Sequence, residues 1–437
     1  MNMINILELA KMTGDQKKEV LMRSHIDFEE MSSVVGPIIK MVQSGGDNAL
    51  LKLAEQYDKC RLSQLAVSRD EMDAAALLVD EGIKEALRHI HKNSISYYQK
   101  ELPLDWNTWL EDGILSGAMY KPYNRVGVYV PGGKGSFPAM VLRLSTPVCL
   151  AGVKEVVICT PPLEDGSINP AILYAAKLNN INTVYKVGGA QAIAAMAYGT
   201  ETIKKVDKIV GVGSSYVTVA QKILFGEVAV DRLAGPSDAL ILTDSSAEPE
   251  YVAADMLIES EHSPNSGSPV LIDNMESAIK IKKYAEQYIT EAPERQKNIF
   301  ETSLLKYSPI IVYQTMEEAV NFINDYAPEH LHVQIKNPYD LLKSIKNTGA
   351  VQIGSYSVIS STDFFGGSAN ALPTGGYAKI FGDVSVLDFF KKIPIQYVNL
   401  KGFKHISKKA VHLAEYQDMY FHAKAIKVRK EFEIESV

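Results

Sequence analysis

Val126-Gly127-Val128-Tyr129-Val130-Pro131-Gly132-Gly133 decides the fold. Its first five residues are rich in β-branched and aromatic side chains and predict a strand. Proline and two glycines follow at once, and glycine lets the backbone turn sharply beside a ligand. Outward from this stretch, apolar runs of strand length recur at Val156–Cys159, Thr183–Val187, Val206–Val210, Ala239–Leu242, Val270–Ile272 and Ile310–Tyr313, with helix-length segments between them. Short runs that are apolar throughout are strands covered on both faces, and their alternation with helices is the pattern of βαβ units. The expected class is α/β, with two parallel-sheet units.

Upstream, residues 1 to about 122 read as helical. Val34, Ile38, Ile39 and Val42 recur at helical spacing, a second periodic run covers Ala49–Tyr57, and Gly45-Gly46 separates the two. Downstream, from about Val384, Leu387-Asp388-Phe389-Phe390 and a closing helical pattern around Val411–Phe421 form a tail too short for a domain, expected to dock on something. The length of 437 residues corresponds to about two to four structural units.

Acidic residues outnumber basic ones, 52 to 45, for a formal net charge of −7. That balance argues against a nucleic-acid groove, which needs clustered Lys and Arg. Cys60, Cys149 and Cys159 show no CxxC spacing, so neither a disulfide framework nor a thiolate metal site is expected. The first twenty residues lack the continuous apolar run and small-residue cleavage site of a signal peptide, and no apolar stretch reaches the span of a membrane helix. A soluble protein of the reducing cytoplasm is expected.

Three glycine turns follow strands in the middle of the chain. Pro131-Gly132-Gly133-Lys134-Gly135 lacks the lysine that Walker A demands after Gly127 and Gly132, so an ATPase is not expected. Val187-Gly188-Gly189-Ala190-Gln191 and Gly211-Val212-Gly213-Ser214-Ser215-Tyr216 are the others, the last with Tyr216 in place of a dinucleotide fingerprint's third glycine. Each alone is equally an ordinary βα turn. Together they mark an edge where such sheets bind nucleotides.

Among nine histidines, His25, His89, His91, His332, His405 and His412 read as surface or core residues. His262 differs. A helix opened by Pro249 puts Glu259 and His262 at i, i+3 near its C-terminal end, which suits two metal ligands or an exposed ion pair. In Ala327-Pro328-Glu329-His330, Pro328 disfavours helix at Ala327 and leaves an acid and an imidazole at the mouth of the next segment. Such a pair can divide water activation and proton transfer, or be incidental to a turn. Asp363 in its Gly-rich loop reads as a turn or N-cap residue, and His422 as a cation closing the last helix.

These motifs, from Gly45-Gly46-Asp47-Asn48-Ala49-Leu50 to His422, resemble the histidinol dehydrogenase family. The opening stretch carries the resemblance with Gly188-Gly189-Ala190-Gln191-Ala192-Ile193, Ala234-Gly235-Pro236-Ser237, Glu261-His262, Ala327-Pro328-Glu329-His330 and Leu372-Pro373-Thr374-Gly375-Gly376. It implies two incomplete Rossmann-like domains, one inserted in the other: 25–125 with 239–383, and an NAD-binding 126–238. Extensions at 1–24 and 384–437 flank them. It implies oxidation of a primary alcohol, by default L-histidinol, through an aldehyde to the carboxylate with two NAD+ and one zinc. Glu329 and His330 match the catalytic pair, Tyr129, Gln191 and Ser214 the cofactor positions. Glu259, His262, Asp363 and His422 match the metal ligands, His422 coming from the partner of a homodimer. Ser237, Glu259, His262, His330, Asp363, Asn370, Gln417 and His422 match the substrate contacts.

The chain departs from the family pattern at several polar positions. Glu259 replaces Gln, Ser214 replaces Asn, Asp238 replaces Glu, Asn370 replaces His and Gln417 replaces Glu. Ala369 stands for Asn, and Ala139 stands for a hydroxyl residue. Arg143, one helical turn after Ala139, can receive an anionic group or form a structural salt bridge. Two alternatives stay open beside the default. One is a paralogue acting on another small polar alcohol, such as the sulfonated diol of the sulfopropanediol dehydrogenases. The other is a catalytically inactive binding protein.

Overall fold

The computed structural model describes residues 4–23, 27–132, 135–232, 235–368 and 371–431. Gly133, Lys134, Ala234, Ala369, Asn370 and His25 lie outside the described residues. The chain divides into two compact units, Met1–Leu102 with Tyr123–Phe389, and Pro103–Pro122 with Phe390–Val437.

Two parallel sheets build the first unit. One runs Val184–Lys186, Glu155–Thr160, Arg125–Tyr129, Lys208–Gly211, Ala229–Val230 across its width. Counted in chain order from Arg125–Tyr129, that is third, second, first, fourth, fifth. The other sheet runs Ile6–Glu8, Ile310–Val312, Val270–Ile272, Ala239–Thr243, His330–Gln334, Ala350–Ile353. Counted from Ala239–Thr243, its last five strands have the same winding. The α/β class holds, and all seven expected strands are present within a few residues of their expected ends. Because Ile6–Glu8 pairs with Ile310–Val312, the chain begins in the second sheet, builds the first, and returns. The first sheet is therefore an insertion.

Where the winding reverses, neighbouring strands send the chain to opposite faces and a crevice opens at their carboxyl ends. In the first sheet this falls between Arg125–Tyr129 and Lys208–Gly211. Gly211 has φ +144°, in the region that favours glycine, and a Cβ there would collide with the Tyr129 carbonyl oxygen. The helix Gly189–Tyr198 packs its buried Ile193 and Met196 into the core behind this crevice.

The expected helical character of residues 1 to 122 needs correction. Helices Phe28–Leu53, Arg69–Leu78 and Glu81–Tyr98 are present, and the expected break at Gly45-Gly46 is a kink at Gly46 (φ +50°), where the Glu201 carboxylate accepts the Asp47 N–H at 2.8 Å. However, Trp106–Glu111 and Ile114–Pro122 are antiparallel strands of the second unit. Their third strand is Phe390–Val398, paired along its whole length with Ile114–Pro122. The tail thus finds its partner far back in the chain, a pairing that leaves no local periodicity to read. After it come helices Leu400–Tyr416 and Tyr420–Glu431, interrupted at Asp418 (φ +55°). His422 accordingly sits in the first turn of the last helix. The reading of it as a cation closing that helix is corrected.

Among the described residues, no helix is long and apolar enough to cross a membrane. Substituting Gly211→Ala is expected to destabilise the first unit by more than about 1 kcal/mol, because the new methyl group meets backbone. Denaturant unfolding measures this; an unchanged midpoint would contradict the close approach of the two strand ends.

Candidate active site

The strand His330–Gln334 reads His-Leu-His-Val-Gln, and each of its residues is buried. Alternation sends Leu331 and Val333 into the hydrophobic core and His330, His332 and Gln334 to the opposite face. Helix Pro249–Ser260 carries Asp255 and Glu259 four residues apart, one above the other on a single face. Two residues of strand rise about 6.6 Å and four of helix about 6 Å, so the two acids match the two histidines in step. In the inner layer, Asp255 Oδ2 lies 3.3 Å from His332 Nδ1, Gln334 donates to Asp255 at 2.6 Å, and His332 Nε2 donates to the Gly354 carbonyl at 3.0 Å. His332 is a core histidine, as expected.

The outer layer is different. One oxygen each from Glu259 and Glu329 and a ring nitrogen of His330 lie within 4.8 Å of one another, all three residues buried. His262, just past the helix end and half exposed, has Nδ1 3.8 Å from Glu259 Oε2 and 3.3 Å from Ser237 Oγ. Burial, and next the Glu259 carboxylate, push the Glu329 carboxyl well above the usual carboxylate range. Glu259 and His262 are an oxygen and a nitrogen donor of the kind zinc takes, with Glu329 and His330 directly beside them. A cation would also relieve the repulsion between the two acids.

Asp238 fixes Glu329. The Asp238 N–H donates to Glu329 Oε2 at 3.1 Å, the Glu329 N–H to Asp238 Oδ1 at 2.9 Å, and the His330 N–H to the Asp238 carbonyl at 3.2 Å. Oδ2 of Asp238 accepts the Gly375 N–H at 2.8 Å, in a turn where Gly375 and Gly376 both have positive φ. This gives the Leu372–Gly376 string a physical role. Arg23, itself buried, pairs with Asp238 Oδ1, donates to the Tyr326 and Ala327 carbonyls, and stacks over the Tyr326 ring at 3.7 Å. Ala327 is left-handed at φ +51° and ends helix Met316–Tyr326 before Pro328. Arg23 thus clamps the turn that delivers Glu329 and His330.

Asp363 lies within the short helix Ile359–Phe365, which corrects its reading as a turn or N-cap residue. Both its oxygens accept from the buried Arg143 guanidinium, one at 3.0 Å, and this is the salt-bridge reading of Arg143. Asp363 also adds to the field that raises Glu329. In the first sheet, Tyr129 is buried and its hydroxyl accepts the Gly189 N–H at 2.9 Å, tying the first glycine turn to the second. Gln191 is buried on the first turn of the next helix with its amide folded over Gly189. Ser214 is the exposed N-cap of helix Ser215–Leu224. Gln417 and His422 are exposed in the second unit, and Asn370 is outside the described residues. Burial lifts the Cys149 and Cys159 thiols to about 12, which removes them as nucleophiles.

The family model for histidinol dehydrogenase matches residues 21–430. The chain belongs to the histidinol dehydrogenase family. A histidinol dehydrogenase of Methanothermobacter thermautotrophicus is 37% identical over 97% of this chain and 99% of its own. One of Oceanobacillus iheyensis is 38% identical over 96% and 97%. The crystal structure of histidinol dehydrogenase from Elizabethkingia anophelis superposes with a TM-score of 0.93 at 35% identity, covering 98% of both chains. Membership in this family makes the chain an NAD-dependent zinc dehydrogenase acting on an alcohol group.

Sequence reasoning found Glu259, His262, Glu329 and His330, which the fold brings together. It gave no role to Arg23 and noted Asp238 only as a departure; it missed Gln352, whose amide lies 3.2 Å from His330 Nδ1. The polar face at 330, 332 and 334 was the available signal, since a strand flanked by apolar strands buries what it alternates. Asp238→Ala is expected to cost about 3–5 kcal/mol, because it strands the buried Arg23. Unfolding curves measure this, and a loss under 1 kcal/mol would show that the latch is not holding the turn.

Proposed function

We propose that the protein oxidises L-histidinol through the aldehyde to L-histidine, consuming two NAD+ and one water, in the cytoplasm. The observation that carries the reading is the buried group of Glu259, Glu329 and His330 with His262 at its rim. Zinc would be held by Glu259, His262, Asp363 and the partner subunit's His422. When bound, zinc supplies a Lewis-acid anchor for the substrate and NAD+ supplies the hydride acceptor. Segment 126–238 is the cofactor domain beside the discontinuous 25–125 and 239–383, with Tyr129, Gln191 and Ser214 as cofactor contacts.

His330 Nε2 takes the hydroxyl proton as the carbon loses hydride. Glu329 takes a proton from water as it adds to the aldehyde, giving a hydrate ready for the second oxidation. Ser237, Asn370 and Gln417, with the metal ligands, orient the substrate. Arg143 donates one hydrogen bond to each Asp363 oxygen, and the remaining lone pairs are those that would serve a metal.

A homodimer completes this site. It is supported by the aromatic surface that the second unit exposes, with Trp109, Tyr397, Tyr416, Tyr420 and Phe421 each more than half exposed. A second reading is the same oxidation of another small polar alcohol such as a sulfonated diol, favoured by Asn370 and Gln417 standing where the family's substrate contacts are His and Glu.

Purified protein with zinc and NAD+ is expected to form two NADH per L-histidinol, and to stop when zinc is chelated. NADH only from a different alcohol would select the second reading. No NADH from any alcohol would leave a binding protein. For the shared site, His422→Ala and Glu329→Ala are each expected to be inactive. Their equal mixture under subunit exchange should recover about a quarter of wild-type turnover, from heterodimers with one intact site. No recovery would contradict a ligand lent across the dimer.

A further inference from the structure

His330 is useful as a base at Nε2 only if its resting proton is on the other ring nitrogen, since a neutral imidazole carries one proton. Nε2 is the nitrogen turned toward the site, 3.9 Å from Glu329 Oε1. The side chain against Nδ1 is Gln352, buried on strand Ala350–Ile353, 3.2 Å away. Gln352 pairs in register with His332, so it reaches His330 diagonally across two parallel strands. Its amide oxygen is buried with no hydrogen-bond partner when the amide nitrogen faces the ring. Amide nitrogen and oxygen are told apart only by their partners. Turning the amide gives that oxygen the Nδ1–H as donor and leaves Nε2 bare.

His332, two residues on, shows the opposite arrangement. Its Nε2 faces the Gly354 carbonyl, which can only accept, so Nε2 carries a proton, and its Nδ1 is met by both the Asp255 carboxylate at 3.3 Å and the Gln334 amide at 3.4 Å. Two histidines on one strand face are thus each met by a glutamine, but His332 has both ring nitrogens engaged inside the core while His330 keeps Nε2 turned toward the site.

We propose that Gln352 is a positioning residue that accepts the Nδ1–H of His330 and so fixes Nε2 as the proton-accepting nitrogen. The inference rests on the reading of His330 as the base. Loss of such an orienting partner typically costs about 10- to 100-fold. Gln352→Leu is expected to lower kcat for L-histidinol by that factor with KM within about threefold. Gln352→Glu, whose carboxylate can only accept, is expected to recover most of it.

Nitrogen NMR of protein labelled at histidine reads the tautomer without turnover, and His330 is expected to carry its proton on Nδ1 in the wild type and to lose that preference in Gln352→Leu. A resting proton on Nε2 would overturn the proposal. So would wild-type kcat in Gln352→Leu, or equal losses in the Leu and Glu variants with unchanged melting. His330→Asn separates the two layers of the argument. If it is inactive while both Gln352 variants turn over normally, only the role of Gln352 fails; if it keeps full turnover, the base reading fails and takes this inference with it.

Discussion

The site depends on holding several carboxylates together in a place that water does not fill. Glu259, Glu329 and Asp238 are buried within one neighbourhood, with Asp363 half-buried nearby. Ionised acids taken from water need partners, or their pKa values rise until they are neutral. The fold solves this unevenly. Asp238 has Arg23 and the N–H groups of Glu329 and Gly375, and Asp363 has Arg143. Glu259 and Glu329 have imidazoles and each other. Burial raises both the Glu329 and the Asp238 carboxyls, and Arg23 and backbone N–H groups pull Asp238 back, so Asp238 and Asp363 form the frame and Glu329 is the acid left for chemistry.

That frame is assembled from both sheets. Arg143 belongs to the helix following the first strand of the inserted sheet, and Asp363 to a helix beyond the last strand of the other. The Arg143–Asp363 pair therefore joins the inserted sheet to the acid cluster. The two sheets use opposite edges. In the inserted sheet, Tyr129 and Gly211 lie at carboxyl ends of strands. In the other, Asp238 and Glu329 precede the amino ends of Ala239–Thr243 and His330–Gln334. The usual rule for ligand placement in such sheets describes the first edge. The second is built instead by the Arg23 clamp on the Ala327 turn.

Much of this was legible in the chain. Seven buried strands showed as apolar runs, because parallel strands covered on both faces leave no alternation to confuse. Pro249 and Pro328 placed Glu259, His262, Glu329 and His330 correctly, because proline restricts its neighbours whatever the tertiary context. Strands 106–122 and 390–398 were not legible as partners, since antiparallel pairing across nearly the whole chain has no local signature. Arg23 gave no signal either; a single arginine acquires meaning only when Asp238 and two carbonyls converge on it. The Arg143–Asp363 pair is of the same kind, though charge alone suggested that Arg143 needed an anion.

The account is tested most directly by locating the metal. Crystals grown with zinc and NAD+ should show one zinc per chain by anomalous scattering at the zinc edge, within bonding distance of Glu259 and His262 and, as the proposed homodimer requires, of an imidazole from the partner. Anomalous density elsewhere on the chain, or none at full zinc saturation, would contradict it.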